Sequence, residues 1–274
     1  MHAGTRARII GMRKLVFCNR KGGVGKTASA INVAAGLGLN GKRTLVIDLD
    51  SQMNATQVLA DGIMGVTVTD VLLGGAAPEE AIVPTSEDNV FLLPGAEDFA
   101  NFPGRAREVN EALPQLVMRE RLKGLSSFDY VIVDCPAALD LSVINALAFG
   151  SEAWVPIETS SFAVVGIHRL QSIIQKLRDS FNNTQITLAG VFMTLVNPQT
   201  ISFRNVADHL RQHFGDQACR TAINRAEDIK YALGHHQSIF TYAPGSRAAE
   251  QYLALTNEIA AYERHWERLQ TRVG

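Results

Sequence analysis

The stretch Arg20-Lys21-Gly22-Gly23-Val24-Gly25-Lys26-Thr27 decides how this chain is read. Its end, Gly25-Lys26-Thr27, completes the phosphate-binding pattern GxxxxGK[ST], but Arg20 stands where that pattern has its first glycine. The physical parts are nevertheless all present. Glycines let successive backbone N–H groups turn inward around phosphate oxygens. A helix that follows presents the positive end of its dipole to the same place. Gly22, Gly23, Val24, Gly25, Lys26, Thr27 and Ala28 therefore form the expected cradle. In it Lys26 neutralises β- and γ-phosphate charge and Thr27 sets its hydroxyl on Mg²⁺. Lys21 lies on the rim, five positions before Lys26, and cannot easily occupy the same phosphate position. It is either a solvent-facing lysine or one that serves a nucleotide held by a facing subunit.

The flanks of this loop set the fold class. Lys14–Asn19 (KLVFCN) reads as a buried strand, and Thr27–Leu39 as a helix with Ile31, Ala35 and Leu39 at helical spacing and Gly41 just past its end. Arg43–Leu49 (RTLVIDL) reads as a second strand, which completes a βαβ opening. Further strands are expected at Val90–Leu93, Tyr130–Asp134, Ala153–Ile157, Ile186–Met193 and near Ala218–Ile223. Helical patterns fall at Thr67–Leu73, Glu108–Leu122, Leu139–Phe149, Val164–Phe181, Phe203–Phe214, Glu227–Leu233 and Ser246–Leu269, and Gly95–Arg107 reads as a loop. The strands are rich in Val and Ile without strict alternation, as in a mostly parallel sheet covered by helices on both faces. The prediction is an α/β chain with a flexible arm over residues 1–12 and one domain over residues 13–274, Met12 being an alternative start.

Acidic residues close two of these strands. Asp48 and Asp50 end the second, in DLDSQMNAT, and Asp134 ends the apolar run YVIVD. Ligands of open α/β sheets meet the carboxyl ends of strands, so all three can point at the phosphate site. Asp134 has the layout expected for the metal, held through water, and Asp50 is placed to orient an attacking water.

Composition narrows the partners. The 274 residues carry 26 Lys and Arg against 27 Asp and Glu, a net charge of −1, which excludes a strongly basic histone-like chain and an acidic tail protein. The balance is local, however: no acid precedes Asp48, whereas nine Lys or Arg do. Cys18, Cys135 and Cys219 are odd in number and widely spaced, so no disulfide framework or CxxC site follows. Without a signal peptide or a window apolar enough to span a bilayer, a cytoplasmic location is expected.

KGGVGKT, DLDSQMNAT and YVIVDCPAALD, in this order, resemble the ParA/Soj chromosome- and plasmid-partitioning ATPases. These are P-loop NTPases with a deviant Walker A motif, in the wider group that includes MinD and the nitrogenase iron protein. The resemblance runs from about Lys14 to about Ala260, and GVFMTLVNPQT from Gly190, Ile223–Arg225 and SRAAEQYLALTNEI from Ser246 also fit. It implies an ATPase that uses ATP and Mg²⁺, dimerises on ATP, binds DNA without sequence preference and positions DNA or another cargo. A ParB-like protein would stimulate it, and it would be nucleoid-associated. Residue by residue, it implies that Lys21 reaches across an ATP sandwich dimer, Lys26 is the cis phosphate lysine and Thr27 the Mg²⁺ ligand. Asp50 matches the switch aspartate, Asp134 the Walker B position, and Asn197 with Pro198 an adenine-contacting loop. Arg204, Arg220, Arg225 and Arg247 fall where the family places its basic patch.

There are departures. The usual DPQGN reads Asp50-Ser51-Gln52-Met53-Asn54, the usual IPR reads Ile223-Asn224-Arg225, and the usual EA-x-x-x-G reads Tyr231–His236. Loss of Pro and Gly changes the stiffness of the first loop, and slow unstimulated hydrolysis is expected. Two other readings remain. One is a MinD-like membrane ATPase, for which Trp266, Leu269 and Val273 beside Arg264, Arg268 and Arg272 supply only a small apolar face. The other is a non-catalytic ATP-binding scaffold. A nitrogenase-like iron–sulfur carrier is rejected because the cysteines do not form the required pair of sites, and a dinucleotide oxidoreductase because GxGxxG is absent.

Overall fold

The computed structural model describes residues 11–60, 65–159, 163–181 and 184–270. The elements run β1 (Arg13–Phe17), α1 (Lys26–Leu39), β2 (Thr44–Asp48), α2 (Asn54–Leu59), α3 (Val68–Leu73), α4 (Pro78–Ala81), β3 (Val83–Pro84) and β4 (Val90–Leu93). Then follow α5 (Phe102–Val109), α6 (Val117–Arg121), β5 (Tyr130–Asp134), α7 (Leu141–Phe149), β6 (Glu152–Ile157), α8 (Ala163–Ser180) and β7 (Thr187–Val196). The chain ends with α9 (Ile201–Phe214), β8 (Ala218–Asn224), α10 (Glu227–Gly234), α11 (Ile239–Tyr242) and α12 (Arg247–Gln270).

One eight-stranded sheet has the order β3-β4-β2-β5-β1-β6-β7-β8. Every pairing is parallel except that of β3 with β4 at the edge. Because strand side chains alternate, Val16, Leu45, Ile47, Val131 and Val133 face a core under α3 and α5–α9. Leu15, Phe17, Val46 and Ile132 face the other core, under α1, α2 and α10–α12. Burial on both faces explains the near-continuous apolar strands of the sequence.

Two sequence expectations fail around Pro114. Glu108–Leu122 is not one helix: α5 ends at Val109, a turn occupies Pro114–Leu116, and α6 starts at Val117. Pro114 has no N–H and restricts Leu113 before it, while the Asn110 side chain accepts the Leu113 N–H at 2.9 Å. The expected loop Gly95–Arg107 instead contains a short 3-10 turn at Glu97–Asn101 and most of α5. Pro103 sits in the first turn of that helix, where its missing N–H costs nothing. Phe99 and Phe102 stack with ring centroids 4.8 Å apart and drive the segment into the core.

At the amino end of the sheet, Arg13 holds the Glu152 carboxylate at 2.7 and 2.6 Å. It also donates to the Tyr130 hydroxyl at 3.3 Å and the Ile259 carbonyl at 3.0 Å. This buried network joins β1, β5 and β6 to the middle of α12, whose Tyr252, Leu255 and Ile259 are buried. The proposed arm falls largely on residues 1–10, outside the described residues, and so do Arg272, Val273 and the side chains of Arg264, Trp266, Arg268 and Leu269.

Candidate active site

The carboxyl ends of β1, β2 and β5 meet, and the register pairs Asp48 and Phe17 with Asp134 on either side of β5. The glycine loop leaves β1 and enters α1 at Lys26. Gly23 and Gly25 both take left-handed backbone, φ 73° and 76°, a conformation that side-chain-bearing residues adopt only with strain. A Cβ on Gly23 would stand in open space beside the loop. Val24 is buried, and its carbonyl accepts from the Thr194 hydroxyl at 2.7 Å; the same hydroxyl lies 3.1 Å from the Ile157 carbonyl. Thr194 thus ties the loop to β6 and β7, a role that its place inside an apolar strand did not advertise. Asn19 adds a second tether, donating to the Pro156 carbonyl at 2.8 Å.

The two lysines of the loop point to different places. Lys26 is buried, and its Nζ donates to the Lys21 carbonyl at 3.3 Å, inside the loop. Lys21 is half exposed, and its Nζ pairs with the Glu158 carboxylate just past β6. Thr27 and Ala28, in the first turn of α1, are half-buried.

The acids divide by burial. Asp134 is wholly buried and neither carboxylate oxygen accepts a hydrogen bond. Desolvation first, then the charge of Asp48, push its pKa well above the carboxylate range, while the Thr27 hydroxyl and Lys26 work in the other direction. Asp48 is also buried, and burial raises it to about 6 despite the hydrogen bonds it accepts. Those come from the Thr56 N–H and hydroxyl, both at 2.8 Å, and from the Asp50 N–H at 3.0 Å. Two adjacent buried carboxylates, one with orphaned oxygens, fit a divalent cation beside Thr27. Asp50 is half-buried and caps its own turn, accepting the Gln52 N–H at 3.0 Å. Met53, in the place of the expected glycine, keeps a left-handed backbone with φ 54°.

Asn197 and Pro198 follow β7 and line a cleft of about 450 Å³ with Gln199, Asn224, Arg225 and Arg247. The four candidate arginines are all exposed but do not share one surface. Arg225 and Arg247 lie in this cleft, at the carboxyl ends of β7 and β8. Arg220 lies at the opposite end of the sheet, on a cavity of about 900 Å³ with Arg178 and Arg211. Arg204 is on the first turn of α9. Cys18 and Cys135 are buried beside the loop, burial pushing the Cys18 thiol up to about 12.

A parallel sheet whose first βα turn is this lysine-rich glycine loop, with Asp134 closing the neighbouring strand, defines a P-loop NTPase of the deviant Walker A class. Residues 12–188 match the AAA domain family. The chromosome-partitioning ATPase Soj of Treponema pallidum is 32% identical over 250 residues, covering 91% of this chain and 97% of that protein. Cobyrinic acid a,c-diamide synthase of Mycobacterium smegmatis, solved with an ATP analogue and magnesium, superposes with a TM-score of 0.77 at 27% identity, covering 93% of this chain and 96% of that one. The septum site-determining protein MinD of Pyrococcus horikoshii, solved with Mg-ADP, gives 0.73 at 25% identity over 90% of this chain and 96% of that one. The chain belongs to the ParA/Soj/MinD family of ATP-binding and ATP-hydrolysing partitioning ATPases.

Proposed function

We propose that this protein is an ATP-driven switch that pairs with a second copy when both hold ATP, grips DNA in that state, and lets go after hydrolysis, so that DNA or another cargo is segregated or positioned. The observation that carries the reading is the division between the lysines. Lys26 stays inside the glycine loop, whereas the Lys21 side chain leaves it and is half exposed. Lys21 is thus placed to meet the phosphates of a facing protomer once it leaves Glu158, and a second positive charge there lowers the cost of bringing two nucleotides together.

In this reading the Gly22–Thr27 backbone and Lys26 bind the phosphates. Thr27 and Asp134 hold Mg²⁺, which when bound neutralises phosphate charge. Asp50 orients the attacking water. Asn197 and Pro198 face the base. Arg204, Arg220, Arg225 and Arg247 meet DNA phosphates, which requires charge rather than a base-reading helix. Their separation over the protomer supports a grip that is modest in one copy and stronger in two. A ParB-like protein would trigger turnover, and the ATP-bound form would sit on the nucleoid.

Gel shift on unrelated DNA tests the cargo-positioning part. Retention with ATP and release with ADP is expected; indifference to nucleotide contradicts it. Replacing Asp50 with Ala is expected to slow hydrolysis at least 10-fold, within the range for a lost water-positioning or base group, while ATP-dependent pairs persist. A second reading, an ATP-binding scaffold with vestigial hydrolysis, is favoured by Met53 in left-handed backbone next to Asp50. Turnover that stays at background with DNA and the stimulating partner present would select it.

A further inference from the structure

We propose that Glu158 is a positioning residue that parks Lys21 on its own protomer and must release it before two ATP-bound copies can join. This deepens the dimer reading above and rests on it. The Lys21 Nζ pairs with the Glu158 carboxylate. The backbone at Lys21 is held from both sides: its N–H donates to Asn19 Oδ1 at 3.0 Å, and its carbonyl accepts from Lys26 Nζ at 3.3 Å. Asn19 in turn donates to the Pro156 carbonyl at 2.8 Å, two residues before Glu158. The root of Lys21 is therefore fastened to the strand end that carries the acid. With the root fixed, the ammonium has one anchor in the free protomer, and among the described residues Glu158 forms no second ion pair.

A phosphate of a facing protomer competes for the same ammonium. Parking thus taxes association by the worth of the ion pair. Half-exposed partners are worth little, on the order of 0.2–1 kcal/mol, or about 1.4-fold to 5-fold in an equilibrium constant. That is a bias rather than a lock: ATP overcomes it easily, and it shifts the pairing equilibrium only by that factor.

The test compares wild type with Glu158→Gln and Glu158→Asp in the full chain. Without nucleotide, Lys21 is labelled with an amine-acylating reagent and read by mass spectrometry, with exposed Lys42 as the internal standard. Lys21 labelling is expected to rise about 2-fold to 5-fold in Glu158→Gln relative to Lys42, and to stay near wild type in Glu158→Asp. With Mg·ATP, sedimentation is expected to show tighter pairing of Glu158→Gln by a similar factor. Unchanged Lys21 labelling overturns the parking contact whatever the pairing result. Wild type that pairs on ATP while Glu158→Gln pairs no better overturns its competitive role alone. Wild type that never pairs on ATP overturns the dimer reading itself.

Discussion

Among the described residues, Asp134 is the one carboxylate buried with both oxygens unpaired. Neither oxygen has a hydrogen bond of ordinary geometry, although the Thr27 hydroxyl acts on the carboxylate, and Asp134 is paired in register with Asp48, also buried. Both acids are raised in the fold, Asp48 to about 6 against an unfolded value near ~3.9. The sign of the linkage is then opposite to that of a salt-bridged acid. Between these values the folded state binds more protons than the unfolded one, so stability is highest below about pH 4 for these groups and falls as pH rises through their folded pKa values. A cation held by the pair reverses the penalty. Thermal melts from pH 5 to 8 are therefore expected to slope downward without nucleotide and to flatten with Mg²⁺ and a non-hydrolysable ATP analogue. Asp134→Asn should flatten the nucleotide-free slope and lose most of the Mg²⁺-dependent rise. Equal slopes with and without Mg²⁺ and analogue would show that the two acids do not hold the metal.

At the scale of elements, the loop from β2 to α2 carries one of the departures from the family pattern, Met53 standing where that pattern has glycine. Asp48 clamps Thr56 of α2, and the Thr56 hydroxyl accepts the Gly95 N–H at 2.8 Å, so α2 is hung directly on the acidic strand end. Met53 joins the two in a conformation that costs a residue with a Cβ about 1–2 kcal/mol. Replacing Met53 with Gly or Asn, both of which tolerate this backbone, is expected to raise stability by about 1 kcal/mol, or the melting point by about 2–4 °C at this chain size. A fall in both variants would mean that the Met53 side chain contributes more than its backbone costs.

The strands, the glycine loop and α1 were legible because each carries its own local signal: an apolar run, left-handed glycines, a helical period. The same holds for the acids at strand ends, since topology alone delivers a terminal residue to the site. What stayed hidden was tertiary. Thr194 is one hydroxyl in an apolar strand, and its bridge between the loop and β6 exists only once β7 is laid beside β6. Glu158 follows Ile157 as an ordinary acid, with no sequence spacing to connect it to Lys21, 137 positions away. The helix α5 was missed because Pro103 and Gly104 read as breakers, although a proline in the first turn starts a helix as readily as it ends one.

For the whole molecule, a net charge of −1 conceals a sorted surface. The acid-free opening segment places two of its four lysines, Lys26 and Lys21, in the glycine loop and on its rim, and the candidate DNA arginines lie in the last third of the chain. Arg220 lies toward one end of the sheet and Arg225 with Arg247 at the other, so these arginines do not form one continuous patch on a protomer. Two copies joined at their nucleotide faces would double every contact without new chemistry. No helix among the described residues is long and apolar enough to cross a membrane. The central claim is that Lys21 acts between copies, and analytical ultracentrifugation of wild type and Lys21→Ala with Mg·ATP or Mg·ADP tests it most directly, with ATP affinity measured alongside. Wild type is expected to sediment at twice the monomer mass with ATP and as monomer with ADP, and Lys21→Ala to remain monomeric while still binding ATP. Normal ATP-dependent pairs in Lys21→Ala would contradict the account.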